Sequence, residues 1–472
     1  MRKPKKGRRR GKQQNQGGNH WNRQLSVSER RKGLKKRIIS LLMCGMMMAG
    51  LLAGCGNSKE DSQKEPESSG GQPYAGTKIH VLSAANMWAE TVKENLPEFE
   101  AETGIKVELQ TLEDSQLSNK IAVSMAANGT DIDVFAFRPL QESQMFMDNG
   151  WLEALNPYYE GDTEYEIDDF YDASKELTIR EEKLYGIPLM TERQVVYYNK
   201  ELFEKAGITK LPETLEEFRE TAEKLHDPEH GISGIVIRGK GPDAVTMVSS
   251  FLRDYGGEFM TDGKASIDTP EAIQGFRYYG DLLRNYGPDG VANMGWQESM
   301  AVFTQGLAGM RIDVDTQYAQ INDPDSSQVA GKVGYFLMPK GPNGQHTFSI
   351  TAWAVGINSQ SKNKDAAWEF LRWATGKEMD VKAQAKGSSS ARSSTWEEED
   401  ANASWPEELI PVIQKSMEIG DSTDRPILNN VGEARTYIGD VITAALFDED
   451  VEAAADKANE QFQSLLDAEK TK

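Results

Sequence analysis

Cysteine is nearly absent: of 472 residues only Cys44 and Cys55 carry a thiol, and nothing after Cys55 does. Most of the chain therefore has no disulfide framework, no thiolate zinc site and no cysteine nucleophile. Histidine is also scarce, and beyond the first 54 residues only His80, His226, His230 and His346 occur. His226 and His230 have the i, i+4 spacing of a helical zinc pair, but Asp227-Pro228 between them breaks a helix and argues against a metal there. There is no Gly-x-Ser-x-Gly elbow and no His-Glu-x-x-His segment. Basic charge is lacking from most of the chain as well. Residues 1–54 hold 15 Lys and Arg against one acid, and the remainder sets 38 basic against 73 acidic side chains, which argues against nucleic acid as a partner. What is present is an ordinary globular composition, 38% apolar and 27% charged, long enough for two or three domain equivalents.

The one long apolar run is Ile38 to Ala53, preceded by Arg30, Arg31, Lys32, Lys35, Lys36 and Arg37, the charged-then-apolar order of an export signal. It is shorter than the roughly 20 residues a bilayer span needs. Its end, Leu52-Ala53-Gly54-Cys55, resembles the lipobox of bacterial lipoproteins. That resemblance implies cleavage before Cys55 and acylation of its thiol, an anchor whose hold grows by about 0.8 kcal/mol per buried CH₂. Residues 1–54 thus read as a basic extension plus lipoprotein signal peptide. The first 29 residues are either a nucleic-acid tail or translation from an upstream start codon, the latter favoured because a charged n-region is short. Residues 55–76, polar and rich in Ser and Gly, read as a flexible tether.

From Thr77 onward the pattern alternates. Ile79, Val81 and Ser83 have strand period, Trp88, Val92, Leu96 and Phe99 have helical spacing, and Ile105, Val107 and Leu109 alternate again, which is a βαβ unit with a parallel pair. Asp131 to Phe137 predicts a buried strand. Thr214 with Glu217 predicts a capping box, and Thr269-Pro270 a helix start. Gly231 to Arg238 and Val333 to Met338 are strand-like. The class is α/β.

Three ordered blocks then carry a specific resemblance. Tyr197-Tyr198-Asn199-Lys200-Glu201-Leu202-Phe203 through Ala206-Gly207-Ile208, with Pro212-Glu213-Thr214 following, is the first; Ala301 to Met310 (AVFTQGLAGM) is the second; Ala354 to Ser359 (AVGINS) followed by Asp365-Ala366-Ala367-Trp368-Glu369-Phe370-Leu371 is the third. Together they resemble bacterial extracellular solute-binding proteins of family 1, the sugar-binding subunits of ABC importers. The resemblance implies a two-lobe, type II periplasmic-binding-protein-like fold with lobes joined by crossing hinge strands and ligand held between them. It implies residues 77–190 plus 350–392 as first lobe and 191–349 plus 393–472 as second, with crossings near Leu189 to Arg193, Lys340 to Thr351 and Ala391 to Thr395. It further implies a monomer on the extracellular side of the membrane, delivering a mono- or oligosaccharide to membrane permease subunits, without catalysis, metal or other cofactor.

Sugar binding needs flat apolar faces for C–H surfaces and planar polar groups for hydroxyls, and ligands of open parallel sheets sit beyond the carboxyl ends of strands. Those two requirements, together with the crossings the resemblance implies, give Trp88, Arg138, Glu192, Arg193, Trp296, Asp313, Trp353 and Arg392 as candidate ligand-binding residues, and the lipobox resemblance gives Cys55 as the lipidation site. Trp368 and Trp373 read as packing. The competing readings are a lipid-anchored glycoside hydrolase, for which no activated carboxylate pair can be named, a binding protein for a non-sugar solute, and an iron trap using Tyr197-Tyr198 or Tyr278-Tyr279.

Overall fold

The computed structural model describes residues 72 and 74–470; the leader, Cys55 and most of the tether lie outside the described residues. Strand β1 (Lys78–Ala84) leads past Asn86, whose side chain accepts from Ala89 N and caps helix α1 (Met87–Thr103), into β2 (Lys106–Leu112). β1 and β2 pair in parallel along their whole length. Gly104 makes the turn between helix and strand at φ 79°, a left-handed cap that suits glycine. Helix α2 (Asp114–Ala126) then returns the chain to β3 (Val134–Phe137), buried at all four positions and parallel to β1.

Four of the five remaining strands of the main sheet are β4 (Ile187–Asn199), β5 (Ser233–Val236), β6 (Ala308–Val314) and β7 (Val333–Phe336); the last is β8 (Ser349–Ile357). The strand order is β2-β1-β3-β8-β4-β6-β5, with β7 also on β4. β4 belongs to two halves of the molecule. Its first part pairs antiparallel with β8, from Ile187↔Val355 to Arg193↔Ser349, and its second part with β6, from Gln194↔Val314 to Tyr198↔Met310. The chain crosses back beside that junction, where Gln194 N donates to Phe348 O and Thr347 Oγ1 donates to Gln194 O, each at 3.1 Å.

Each half has its own core. In the first half Trp88, Phe99, Phe135 and Trp368 pack with the β1, β3 and β8 side chains. In the second half the apolar faces of α3 (Leu215–Leu225), α4 (Gly241–Asp254) and α5 (Pro270–Tyr286) pack together, and α6 (Trp296–Thr304) leads into β6. Helix α7 (Lys364–Ala374) covers the first half, while α8 (Val431–Leu446) and α9 (Val451–Lys470) complete the second. Full burial of each such Leu or Phe stabilises by about 1.5–3 kcal/mol. The local signals account for the helix starts: Thr214 Oγ1 accepts from Glu217 N at 3.2 Å while Glu217 Oε2 accepts from Thr214 N at 3.3 Å, and Thr269 caps a helix whose first residue is Pro270. One close approach matters for the site. A Cβ on Gly439 of α8 would meet the Gly241 carbonyl carbon at 2.6 Å, so glycine lets α8 lie against the start of α4.

The tyrosine pairs are structural. Tyr197 is buried with its hydroxyl donating to Val314 O at 2.7 Å, and Tyr278 donates to Leu215 O at 2.5 Å. His226 and His230 are separated by the end of α3: the first is its cap and the second, exposed, pairs with Asp227 at 2.7 Å.

Candidate functional site

Between the two halves lies a cavity of about 500 Å³. Four of the eight residues selected from sequence line it: Arg138, Glu192, Trp296 and Trp353. Arg138 follows β3 directly. Its Nη2 donates to Ser118 Oγ at 3.0 Å and approaches Glu142 at 3.4 Å, its guanidinium stands 5.9 Å from the Trp353 ring, and its Nε is buried without a partner. Trp353 reaches the cavity because the β8–β4 ladder is irregular on both sides of it. An ideal strand would show the cavity alternate residues; here Ile350, Thr351, Ala352 and Trp353 all line it, the re-aiming that a bulge produces. Trp353 is 7% exposed, so its ring is part core and part cavity wall. Trp296, 38% exposed, opens α6 on the opposite side.

Glu192 sits on β4 just before the strand changes halves. Burial, with Asp315 nearby, pushes its carboxyl up to about 7, and Thr316 Oγ1 donates to it at 3.3 Å. Asp114, at the start of α2, also lines the cavity and is raised by burial.

The other four selected residues do not reach the cavity. Trp88 is 2% exposed, in the first core, and its Nε1 donates to Ala374 O at 2.8 Å; it is a packing residue because α1 turns that face onto α7. Arg193 is next to Glu192, but strand period 2 turns it to the opposite face, where it is fully buried, ion-paired with Asp315 and 5.0 Å from the Trp396 ring. Arg392 is fully buried too, donating to the Tyr165 and Thr375 carbonyls and to Asp169 and lying 4.1 Å from the Phe170 ring. Asp313 stands behind the cavity and holds Arg238, whose Nε donates to it at 3.0 Å, while Arg311 pairs with it at 2.7 Å. Burial alone would raise the Asp313 carboxyl, but the two guanidiniums hold it below its usual range.

Sequence reasoning missed three arginines of the second half that line the cavity: Arg238, Arg425 and Arg435. Arg238 ends the segment from Gly231 and satisfies the strand-end rule that found Arg138, so a signal was there. Arg425 and Arg435 lie far along the chain. Arg425 is clamped by Asp424 (Nε to Oδ1, 2.5 Å) and donates to Thr246 Oγ1 at 3.2 Å. Arg435, one turn before Gly439, reaches Pro242 O at 2.9 and 2.6 Å. Gln317 also lines the cavity and has a buried Oε1 without a hydrogen-bond partner. The arrangement has the chemistry of a binding surface: an aromatic platform, planar amide and guanidinium groups, and polar atoms whose hydrogen bonds the protein itself does not complete.

Comparison with known proteins agrees with this geometry. The chain is 27% identical over 332 residues to the erythritol/L-threitol-binding protein of Mycolicibacterium smegmatis, covering 66% of this chain and 69% of that one. It is 26% identical over 281 residues to the mannitol-binding protein of Pseudomonas aeruginosa, covering 58% and 63%. The crystal structure of an ABC transporter solute-binding protein from Agrobacterium vitis with bound D-mannitol superposes with a TM-score of 0.66 at 26% identity, covering 84% of this chain and 98% of that one. The family model for bacterial extracellular solute-binding proteins matches residues 88–381, and the chain belongs to that family.

Proposed function

We propose that this protein captures a carbohydrate, a mono- or oligosaccharide or the related sugar alcohol, outside the cell and delivers it to the membrane permease of an ABC importer. The observation that carries this reading is the cavity between the halves. Trp353 and Arg138 stand on one wall, Trp296 and Gln317 on the other, and β4 passes beneath both. Relatives that bind erythritol, L-threitol and mannitol support the same ligand class. In this reading residues 77–190 plus 350–392 form one lobe and 191–349 plus 393–472 the other, hinged where β4 and the segment Thr347–Ser349 cross. The ligand drives closure by binding the closed state better. The protein acts as a monomer, holds the ligand without turning it over, and is tethered to the membrane by lipid on Cys55.

A thermal-shift screen of the folded body against sugars and sugar alcohols tests the ligand class, because a ligand of the native state raises stability by RT ln(1 + [L]/Kd). A shift with at least one of them is expected; none at millimolar concentration contradicts the reading. New reducing ends appearing on prolonged incubation with a bound oligosaccharide would favour a hydrolase instead. For the anchor, C55S protein should leave the membrane fraction, and its retention there, uncleaved, would contradict lipidation.

A further inference from the structure

Two relatives of this chain are named for neutral polyols, yet the second wall here is rich in charge. Three guanidiniums, Arg238, Arg311 and Arg425, are held on two buried carboxylates, and a fourth, Arg435, stands beside them. Asp313 is shared by Arg238 and Arg311, and Asp424 is taken by Arg425. Asp243 on α4 lies 3.7 Å from Lys240 and attracts Arg435 without an ion pair to it. Arg435 makes no ion pair among the described residues; it donates only to the Pro242 carbonyl and, at 3.5 Å, to Thr246 Oγ1. Arg425 donates to that same hydroxyl at 3.2 Å, so two guanidiniums converge on one small neutral group at the cavity wall.

Such convergence has a cost that an anion would remove. Two cations brought together out of bulk water repel, and burial removes the solvent that would screen them. The consequence is visible at Arg435, where burial and the Arg425 and Arg238 charges bring the guanidinium down to about 10 against the opposing pull of Asp424 and Asp243. Glu192, the acid on the cavity side, is pushed up to about 7 by burial and so offsets the excess only in part. Guanidinium forks match a planar carboxylate in two-point geometry, and hydrogen bonds of this kind are roughly twice as strong as neutral ones.

We infer that the ligand is an acidic carbohydrate, a uronate or aldonate whose carboxylate docks between Arg425 and Arg435 at Thr246 while its C–H face lies toward Trp353. This rests on the carbohydrate reading above and sharpens it to one substrate class.

Calorimetry on the folded body with matched pairs tests it: D-mannitol against D-mannonate, D-glucose against D-glucuronate, D-galactose against D-galacturonate. For at least one pair the acid should bind about tenfold or more tightly than its neutral partner. That preference should shrink between 50 and 300 mM salt, and R435Q should abolish it, bringing the acid's affinity down to that of its neutral partner. Should R435Q fail to fold, the salt dependence of the wild-type preference decides. Equal or tighter binding of the neutral member in every pair overturns the inference and leaves carbohydrate capture standing. Absence of binding by every acid and every neutral sugar overturns both. Tight binding of D-glucose 6-phosphate with none of the acids bound would reassign the site to phosphorylated sugars and overturn the carboxylate.

Discussion

The two walls of the cavity are made differently. On the first, Arg138 is matched locally by Glu142 and stands beside a tryptophan; on the second, arginines outnumber the carboxylates that hold them among the described residues and the tryptophan, Trp296, is the exposed one. Trp353 is almost buried, seated by a bulge, and therefore a rigid platform. The difference teaches a division of labour. Under the proposed function the first wall would fix the face of a ligand and the second would select its polar groups, with a buried layer of Asp313 and Asp424 keeping the guanidiniums aimed.

The largest effects should come from breaking that buried layer. D313N leaves Arg238 and the fully buried Arg311 facing a neutral amide in place of their shared carboxylate, and should cost about 3–5 kcal/mol of stability in denaturant unfolding. E142Q on the first wall should cost about 1–3 kcal/mol, because its partner Arg138 keeps solvent access. Equal losses would erase the contrast between walls.

The tryptophans separate core from wall. W88A should lower stability by about 3–5 kcal/mol while the folded fraction keeps its affinity. W353A should weaken ligand binding by about 1–3 kcal/mol, roughly 5- to 150-fold. Measuring both quantities on both variants checks this, and an unchanged affinity in W353A would take its ring off the first wall.

A smaller effect is expected from Glu192 at the floor. Its folded value of about 7 lies above the unfolded value of about 4.3, so the native state holds more protons across that window and stability falls as pH rises through it. E192Q should remove a slope worth on the order of 1–3 kcal/mol between about pH 5 and 7, read from unfolding curves. The smallest change is W296A, an exposed residue, which should shift stability by less than about 0.5 kcal/mol and act on affinity alone.

The elements with local causes were legible in the sequence: the β1-α1-β2 unit, the Thr214–Glu217 box and the cap at Thr269 each depend on residues within a few positions. The family blocks added the two-lobe fold. The site was half legible, and the failures are physical. Position at a strand end does not say which face a side chain takes, so Glu192 and Arg193, neighbours on β4, were selected together although only Glu192 lines the cavity. The bulge that turns four successive β8 residues inward depends on pairing with β4, which no local pattern encodes. Arg425 and Arg435 reach Thr246 across 179 and 189 residues, through the glycine contact between α4 and α8.

The central claim is that a carbohydrate is clasped between the two walls. Small-angle scattering of the body with and without a saturating ligand from the screen tests it most directly. The account predicts a smaller radius of gyration when ligand is bound, with the unliganded curve retained by W353A at the same ligand concentration. A ligand that saturates the wild-type protein by calorimetry and leaves its scattering curve unchanged would contradict it.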